Sequence, residues 1–389
     1  MNRSSSGILF VLCISVGVSM TGLGIVWPLV PVYAVELGAG GFLVGIIIAG
    51  FNVSKTIFSP FSGWLSDRWG RKNFIVTGLA AYGVISVFYL FPSRAETLVL
   101  IRFFHGMASV LVVPIAMALT ADIAPPLRLG KYMGTLNMAI MLGLGIGPVL
   151  GGTIRDRFGM EAAFYTMGGL AFLTCIIAMF MIPPDQSRHT TEKKKEVQPM
   201  REVIRHPVMM GIFLMRFFAA SGQGAVYTFI PILAVEMGIS SSRVGVLLGA
   251  NIFLIAFLQR ASGSLADRMN PKHLVIWGTF ASGLTVLGMP FVDGFAYILL
   301  LNVLMGVANG LALPGGLVMT GHLGKKLGMA SVMSINDASW SLGMIVSPVL
   351  SGIILDLFGL AHVFVIGSLL ILLGTCIAGF FFKSYRPSS

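Results

Sequence analysis

Apolar residues fall in long runs separated by short polar stretches along the whole of the 389-residue chain. Runs long enough to span a bilayer cover roughly 8–33, 42–65, 73–92, 97–120, 133–154 and 162–182, and a second set covers roughly 208–234, 243–265, 274–292, 295–320, 329–353 and 362–382. A helix needs about 20 apolar residues to cross the hydrocarbon core. Backbone in contact with lipid must satisfy its hydrogen bonds within its own segment, so each run is expected to be helical. The first run extends from Gly7 past Pro31 with no small-residue cleavage signal. It is too long for a signal-peptide core and is expected to be the first span.

The two sets of six are repeats. Gly63-Trp64-Leu65-Ser66-Asp67-Arg68 matches Gly263-Ser264-Leu265-Ala266-Asp267-Arg268 at an offset of 200. The same offset pairs Pro31, Ala34, Val35, Glu36 and Gly38 with Pro231, Ala234, Val235, Glu236 and Gly238. It also pairs Pro148-Val149-Leu150 with Pro348-Val349-Leu350, and Asp156, Phe158 and Gly159 with Asp356, Phe358 and Gly359. One constant offset at so many sites indicates duplication. The expected fold is an all-α membrane protein of twelve transmembrane helices in two pseudo-symmetric six-helix bundles. The first bundle is 1–183, the second is 208–389, and 184–207 is a polar linker.

Composition supports lipid as the solvent. The chain is 56% hydrophobic and 11% charged, against about 25% charged in soluble domains. Its formal charge of +11 sits in short loops rather than in one patch, which argues for membrane orientation and against nucleic acid. With both termini inside, 18 basic residues, including Arg68, Arg71, Lys72, Arg268 and Lys272, fall on the cytoplasmic side. Only Arg94, Arg155, Arg157 and Arg243 fall outside. Cys13, Cys175 and Cys376 lie far apart in apolar runs, so neither a disulfide framework nor a metal site is expected. No phosphate-binding glycine loop is present, which disfavours ATP-driven transport, and an enzyme has no support.

The stretch after the second span reads Gly63-Trp64-Leu65-Ser66-Asp67-Arg68-Trp69-Gly70-Arg71-Lys72. It resembles the signature loop of the major facilitator superfamily, and span count, repeat and central linker extend the resemblance to the whole chain. Gly63 would permit close helix approach, and Asp67 would suit a helix N-terminus. Arg68 and Arg71 would pair with an acid such as Asp122, forming a cytoplasmic gate. The weaker copy contributes Asp267 and Arg268. Gly143-x-x-x-Gly147-Pro148-x-x-Gly151-Gly152 in the fifth span resembles the glycine-proline motif of proton-coupled exporters, with helix packing alone as the plainer reading. Leu23-Gly24-x-x-x-Pro28-x-x-Pro31 and Arg102-x-x-His105-Gly106 resemble the twelve-helix drug:proton antiporter branch.

Charges inside a span are expensive and therefore candidates for function. Lys55, Arg102, Arg216 and Asp337 are such charges, and their repeat partners Ile255, Asn302, Val16 and Asn137 are uncharged. These four are the candidates for proton coupling: Asp337, the one acid well inside a span, is its expected site, with Arg216 or Lys55 as partner and Arg102 in the same set, and a fixed structural ion pair is the alternative. Trp27 and Tyr227 are repeat-equivalent aromatics on the first and seventh spans, which the resemblance implies face a central substrate cavity together with Asn302 and Asn309; lipid or interface packing is the alternative for the two aromatics. The sequence thus implies a secondary transporter in the inner membrane, exporting small lipophilic or toxic solutes by proton antiport and alternating access. It would act as a monomer without a cofactor. Because bases outnumber acids within the spans, transport or exchange of organic anions is the competing expectation.

Overall fold

The computed structural model describes residues 5–125, 128–183 and 200–385. The described residues are helical nearly throughout, without strands. The first half comprises α1 (Ser5–Val26), α2 (Leu29–Glu36), α3 (Gly41–Trp69), α4 (Arg71–Phe88), α5 (Ala95–Ser109), α6 (Val113–Ile123), α7 (Leu129–Phe158) and α8 (Met160–Met181). After the short α9 (Met200–Arg205) come α10 (Pro207–Glu236), α11 (Ser241–Arg268), α12 (Pro271–Gly288), α13 (Phe295–Leu327), α14 (Met329–Phe358) and α15 (Leu360–Phe381). Most of the 184–207 linker lies outside the described residues.

α1 and α2 make one span broken at Trp27-Pro28, because Pro28 lacks the N–H that would continue the ladder. α5 and α6 likewise make one span, interrupted at 110–112, where Leu111 N–H bonds Ala108 O and Val112 N–H bonds Ser109 O in tighter turns. Counted in this way, eleven helices among the described residues are long and apolar enough to cross a membrane. α4 is the twelfth rod. Its 18 residues begin with Arg71-Lys72-Asn73, so its apolar part is short.

By contacts the chain forms two units, Met1–His189 with Ala234–Gly249, and Thr190–Leu233 with Ala250–Ser389. The end of α10 and the first turns of α11 therefore pack with the first unit, although the repeat assigns them to the second half.

The first unit is built on α1 against α7. A Cβ at Gly143 would collide with the Gly17 carbonyl oxygen. One at Gly147 would stand 2.5 Å from the Thr21 oxygen, and one at Gly151 would stand 2.6 Å from the Ile25 oxygen. Lipid tails give no hydrophobic drive for helices to associate, so dispersion over such close backbone contact must supply it. The second unit repeats the contact between α10 and α14. Gly343 meets the Phe217 oxygen as Gly143 meets Gly17, a built Cβ standing 2.6 Å away. At the position of Gly147, Ser347 instead donates its hydroxyl to the Ser221 carbonyl. The looser second motif thus keeps the approach by adding a hydrogen bond.

Gly63 behaves differently from expectation. No described atom lies within 4 Å of a Cβ built there, so close packing in this conformation does not require glycine at that position. Gly147→Ala should therefore lower thermal stability by about 1–3 kcal/mol through overpacking. Gly63→Ala should leave the unfolding midpoint of the purified protein unchanged.

Candidate functional site

The signature stretch is mostly helix rather than loop. α3 continues to Trp69, Ser66 Oγ donates to Gly63 O at 2.9 Å, and Gly70 N–H closes the last turn on Ser66 O. Gly70 then turns the chain with φ of 92°, a conformation that L side chains disfavour, and α4 begins at once. In the second copy, Asn270 makes the same junction without positive φ. Its side chain accepts Lys272 N–H at 3.3 Å, and Pro271 occupies the first turn of α12. Substitution of Gly70-Arg71 by Asn270-Pro271 therefore replaces one helix start by another.

This junction aims Arg71 at two acids. Its Nη2 lies 3.1 Å from Asp67 Oδ1, one turn earlier, and its Nε lies 3.0 Å from Asp122 Oδ2 at the end of α6. The side chain of Arg71 is 18% exposed, but those of Asp67 and Asp122 are 64% and 54% exposed. Asp67 is thus held by an arginine at the start of α4. Arg68 makes no ion pair among the described residues and lies over the Trp64 ring at 5.9 Å. Of the two expected partners of Asp122, only Arg71 serves. Arg268 is exposed at the end of α11, and the side chain of Asp267 lies outside the described residues.

In the second unit, Arg216 lies on α10 and Asp337 on α14. No ion pair joins them within 4 Å among the described residues. The Arg216 guanidinium lies over Trp340 at 5.2 Å, one turn beyond Asp337. Asp337 is exposed and accepts only a 3.3 Å contact from Asn336 Nδ2. A fixed contact pair between Arg216 and Asp337 is therefore not what this structure contains. In the first unit, Lys55 is exposed on α3 and Arg102 is buried on α5.

The expected cavity residues are more enclosed than the sequence suggests. Trp27 is half-buried at the α1–α2 break. Tyr227, Asn302 and Asn309 are at most 9% exposed. Tyr227 Oη donates to Asn251 Oδ1 at 3.2 Å, Asn251 Nδ2 donates to the Asn302 carbonyl at 2.9 Å, and Gln223 Nε2 donates to Asn309 Oδ1 at 3.1 Å. These bonds join α10, α11 and α13; Asn302 takes part through its backbone oxygen, and its carboxamide has no partner among the described residues.

The profile of the Major Facilitator Superfamily matches residues 12–231 and again 212–389, once per repeat. The chain belongs to the major facilitator superfamily. It is 30% identical over 366 residues to an uncharacterised MFS-type transporter of Methanocaldococcus jannaschii, covering 91% of this chain and 93% of the relative. It is 25% identical over 356 residues to quinolone resistance protein NorA of Staphylococcus aureus, covering 90% of each. Its fold matches a bacterial homologue of the human lysosomal transporter Spinster, solved in an inward-facing and occupied conformation. The TM-score is 0.85 at 13% identity, with 100% of this chain and 99% of that one covered. As a member of the superfamily the protein is a multi-pass membrane transporter and not an enzyme.

In this superfamily member a second polar cluster, which the sequence reading did not single out, sits at the C-terminal end of α7. Arg155 binds Glu36 and also donates to Ser241 Oγ at 2.6 Å. Asp156 accepts Ser241 N–H at 3.0 Å and Ser242 N–H at 2.7 Å, and so caps α11. A Cβ at Gly152 would strike the Ser241 carbonyl, so the last glycine of the motif serves this junction rather than α1. The signal was available: Asp156 recurs as Asp356, and Ser240-Ser241-Ser242 before an apolar run marks a helix start.

Arg71→Gln should cost less than about 1 kcal/mol in thermal unfolding, because both of its acid partners are solvated. Asp156→Ala should cost about 1 kcal/mol, because two helix-end donors lose their acceptor.

Proposed function

We propose that this transporter exports small lipophilic or toxic solutes in exchange for protons, by alternating access across the cell membrane, with both termini cytoplasmic. The observation that carries the reading is Asp337. It is an exposed carboxylate partway along α14, held by no contact cation among the described residues. A carboxylate at that depth is too costly against hydrocarbon, so the face it occupies is read as water-lined. An acid on a water-lined face that no cation locks is free to be exposed to one side and then the other, which is the requirement for exchanging a proton. The likeness to the quinolone resistance protein supports a drug-type cargo. The Asp67–Arg71–Asp122 cluster is assigned as the cytoplasmic gate. Solvated pairs are weak enough to break and re-form within a transport cycle.

The competing cargo is an organic anion, favoured by Lys55, Arg102 and Arg216 against the single acid Asp337. Flux in proteoliposomes under an imposed pH gradient separates the two readings. A cationic dye driven by the gradient, with loss of at least about 90% of that flux in Asp337→Asn and normal folding, supports the exporter. Gradient-independent exchange of organic anions, with the dye ignored, overturns it. Asp67→Asn should slow turnover several-fold without changing the coupling; unchanged turnover would leave the cluster an anchor only.

A further inference from the structure

The interior of the first unit holds a cation without a carboxylate. Arg102 is 3% exposed, and its Nε and Nη1 have no hydrogen-bond partner. No acid lies within 4 Å of it among the described residues. The Phe51 ring stands 4.5 Å from its guanidinium carbon. An aromatic face compensates only part of the cost of burying a charge.

The groups around Arg102 include further polar atoms without a partner. The Tyr89 hydroxyl lies 3.1 Å from His105 Nδ1, and the tautomer in which it donates there carries the ring proton on Nε2. His105 Nε2 is buried and has no partner. The buried Tyr82 hydroxyl is the next unmatched group. Its ring stands edge-on to His105 with centroids 5.0 Å apart. Arg102, His105 and Tyr82 thus present unmatched donors within one compact cluster of α4 and α5 side chains.

The repeat provides an internal comparison. At the positions of Arg102, Phe51, His105 and Tyr82 the second unit has Asn302, Asn251, Met305 and Ser282. There Asn251 donates to the Asn302 backbone carbonyl, and the unmatched groups, the Asn302 carboxamide and the Ser282 hydroxyl, are neutral and carry acceptors as well as donors. The fold therefore does not require a cation at this location, and the buried charge there belongs to the first unit alone.

We propose that the Arg102 cluster binds one small monovalent inorganic anion of the chloride class. Arg102 Nε and Nη1 supply the charge, and His105 Nε2–H and the Tyr82 hydroxyl supply further donors. At 0–3% exposure for Arg102 and His105, the site is closed to an organic solute, so the ion is a resident counter-charge and not cargo. The inference is independent of which solute the transporter moves.

The test is thermal unfolding of the purified full-length protein, titrated with sodium chloride against sodium gluconate at constant ionic strength. It is paired with anomalous scattering from crystals grown in bromide. A saturable rise of the midpoint with chloride, and a bromide peak within hydrogen-bonding distance of Arg102 Nε, are expected. Tyr82→Phe removes one donor without changing shape and should weaken the half-saturating chloride concentration about tenfold. Ser282→Ala, at the equivalent place in the second unit, should leave it unchanged. Arg102→Gln should abolish the effect; if that variant does not fold, Tyr82→Phe and the bromide signal decide. A midpoint indifferent to chloride, a response unaltered by Tyr82→Phe, or ordered water alone beside Arg102 would each overturn the proposal.

Discussion

The backbone-to-backbone approach of α1 and α7 is the contact on which the first unit depends. In lipid there is no hydrophobic gain from bringing two apolar helices together, so the helices must touch closely enough for dispersion to hold them. Gly143, Gly147 and Gly151 place every fourth residue of α7 against the carbonyls of Gly17, Thr21 and Ile25. Three side chains are given up to obtain one long seam. Gly152, just off that seam, lets α7 meet the start of α11, where Asp156 caps the helix. A single stretch of α7 thus serves two junctions, which accounts for the density of glycine there. Proline at 148 is tolerated because its neighbours are packed backbone rather than lipid.

Because small residues make the scaffold, charged residues are free for other work, and their surroundings separate them by strength. Arg71 meets acids that water still reaches, so each bond is worth little and is readily exchanged. Arg216 and Asp337 stand apart, with Trp340 beneath the guanidinium, so neither is locked to the other. Arg102 is enclosed, against the Phe51 ring and with no acid in contact among the described residues. A transporter of this fold needs contacts of the first two kinds where it moves. The third kind belongs where it does not move, inside a bundle whose helices remain packed.

Much of this was legible in the chain. The twelve apolar runs correspond to twelve rods, and the offset of 200 residues located the equivalent glycines, prolines and acids before any coordinates. The pairing of Arg71 with Asp122 was readable because both lie at span ends on the same expected side. Other features were hidden for identifiable reasons. The signature stretch reads as a loop because its polar residues end the apolar run, yet helix continues wherever backbone can still bond to itself, to Trp69. The motif's Gly63 suggested packing, but a glycine's contacts depend on its rotational position around the helix, which one position does not reveal. Arg68 and Arg71 look alike as sequence, and only the turn at Gly70 decides which of them faces Asp122. Tyr227 read as a cavity aromatic because hydropathy shows where a residue is along a span and not what its hydroxyl meets.

The repeat carries the remaining argument, because it separates what the fold demands from what each half adds. Positions kept in both copies, such as Gly143 and Gly343 or Pro148 and Pro348, are the seams. Where the copies differ but the geometry is kept, chemistry has been exchanged at constant shape: Ser347 bonds a carbonyl that Gly147 merely touches, and Asn270 caps a helix that Gly70 starts by its backbone. Where the copies differ and the chemistry changes kind, the scaffold offers no reason. Arg102 against Asn302 and Asn137 against Asp337 are such places. Each puts a charge in one unit only, the cation in the first and the acid in the second, so these charges are additions to the duplicated scaffold and not part of it.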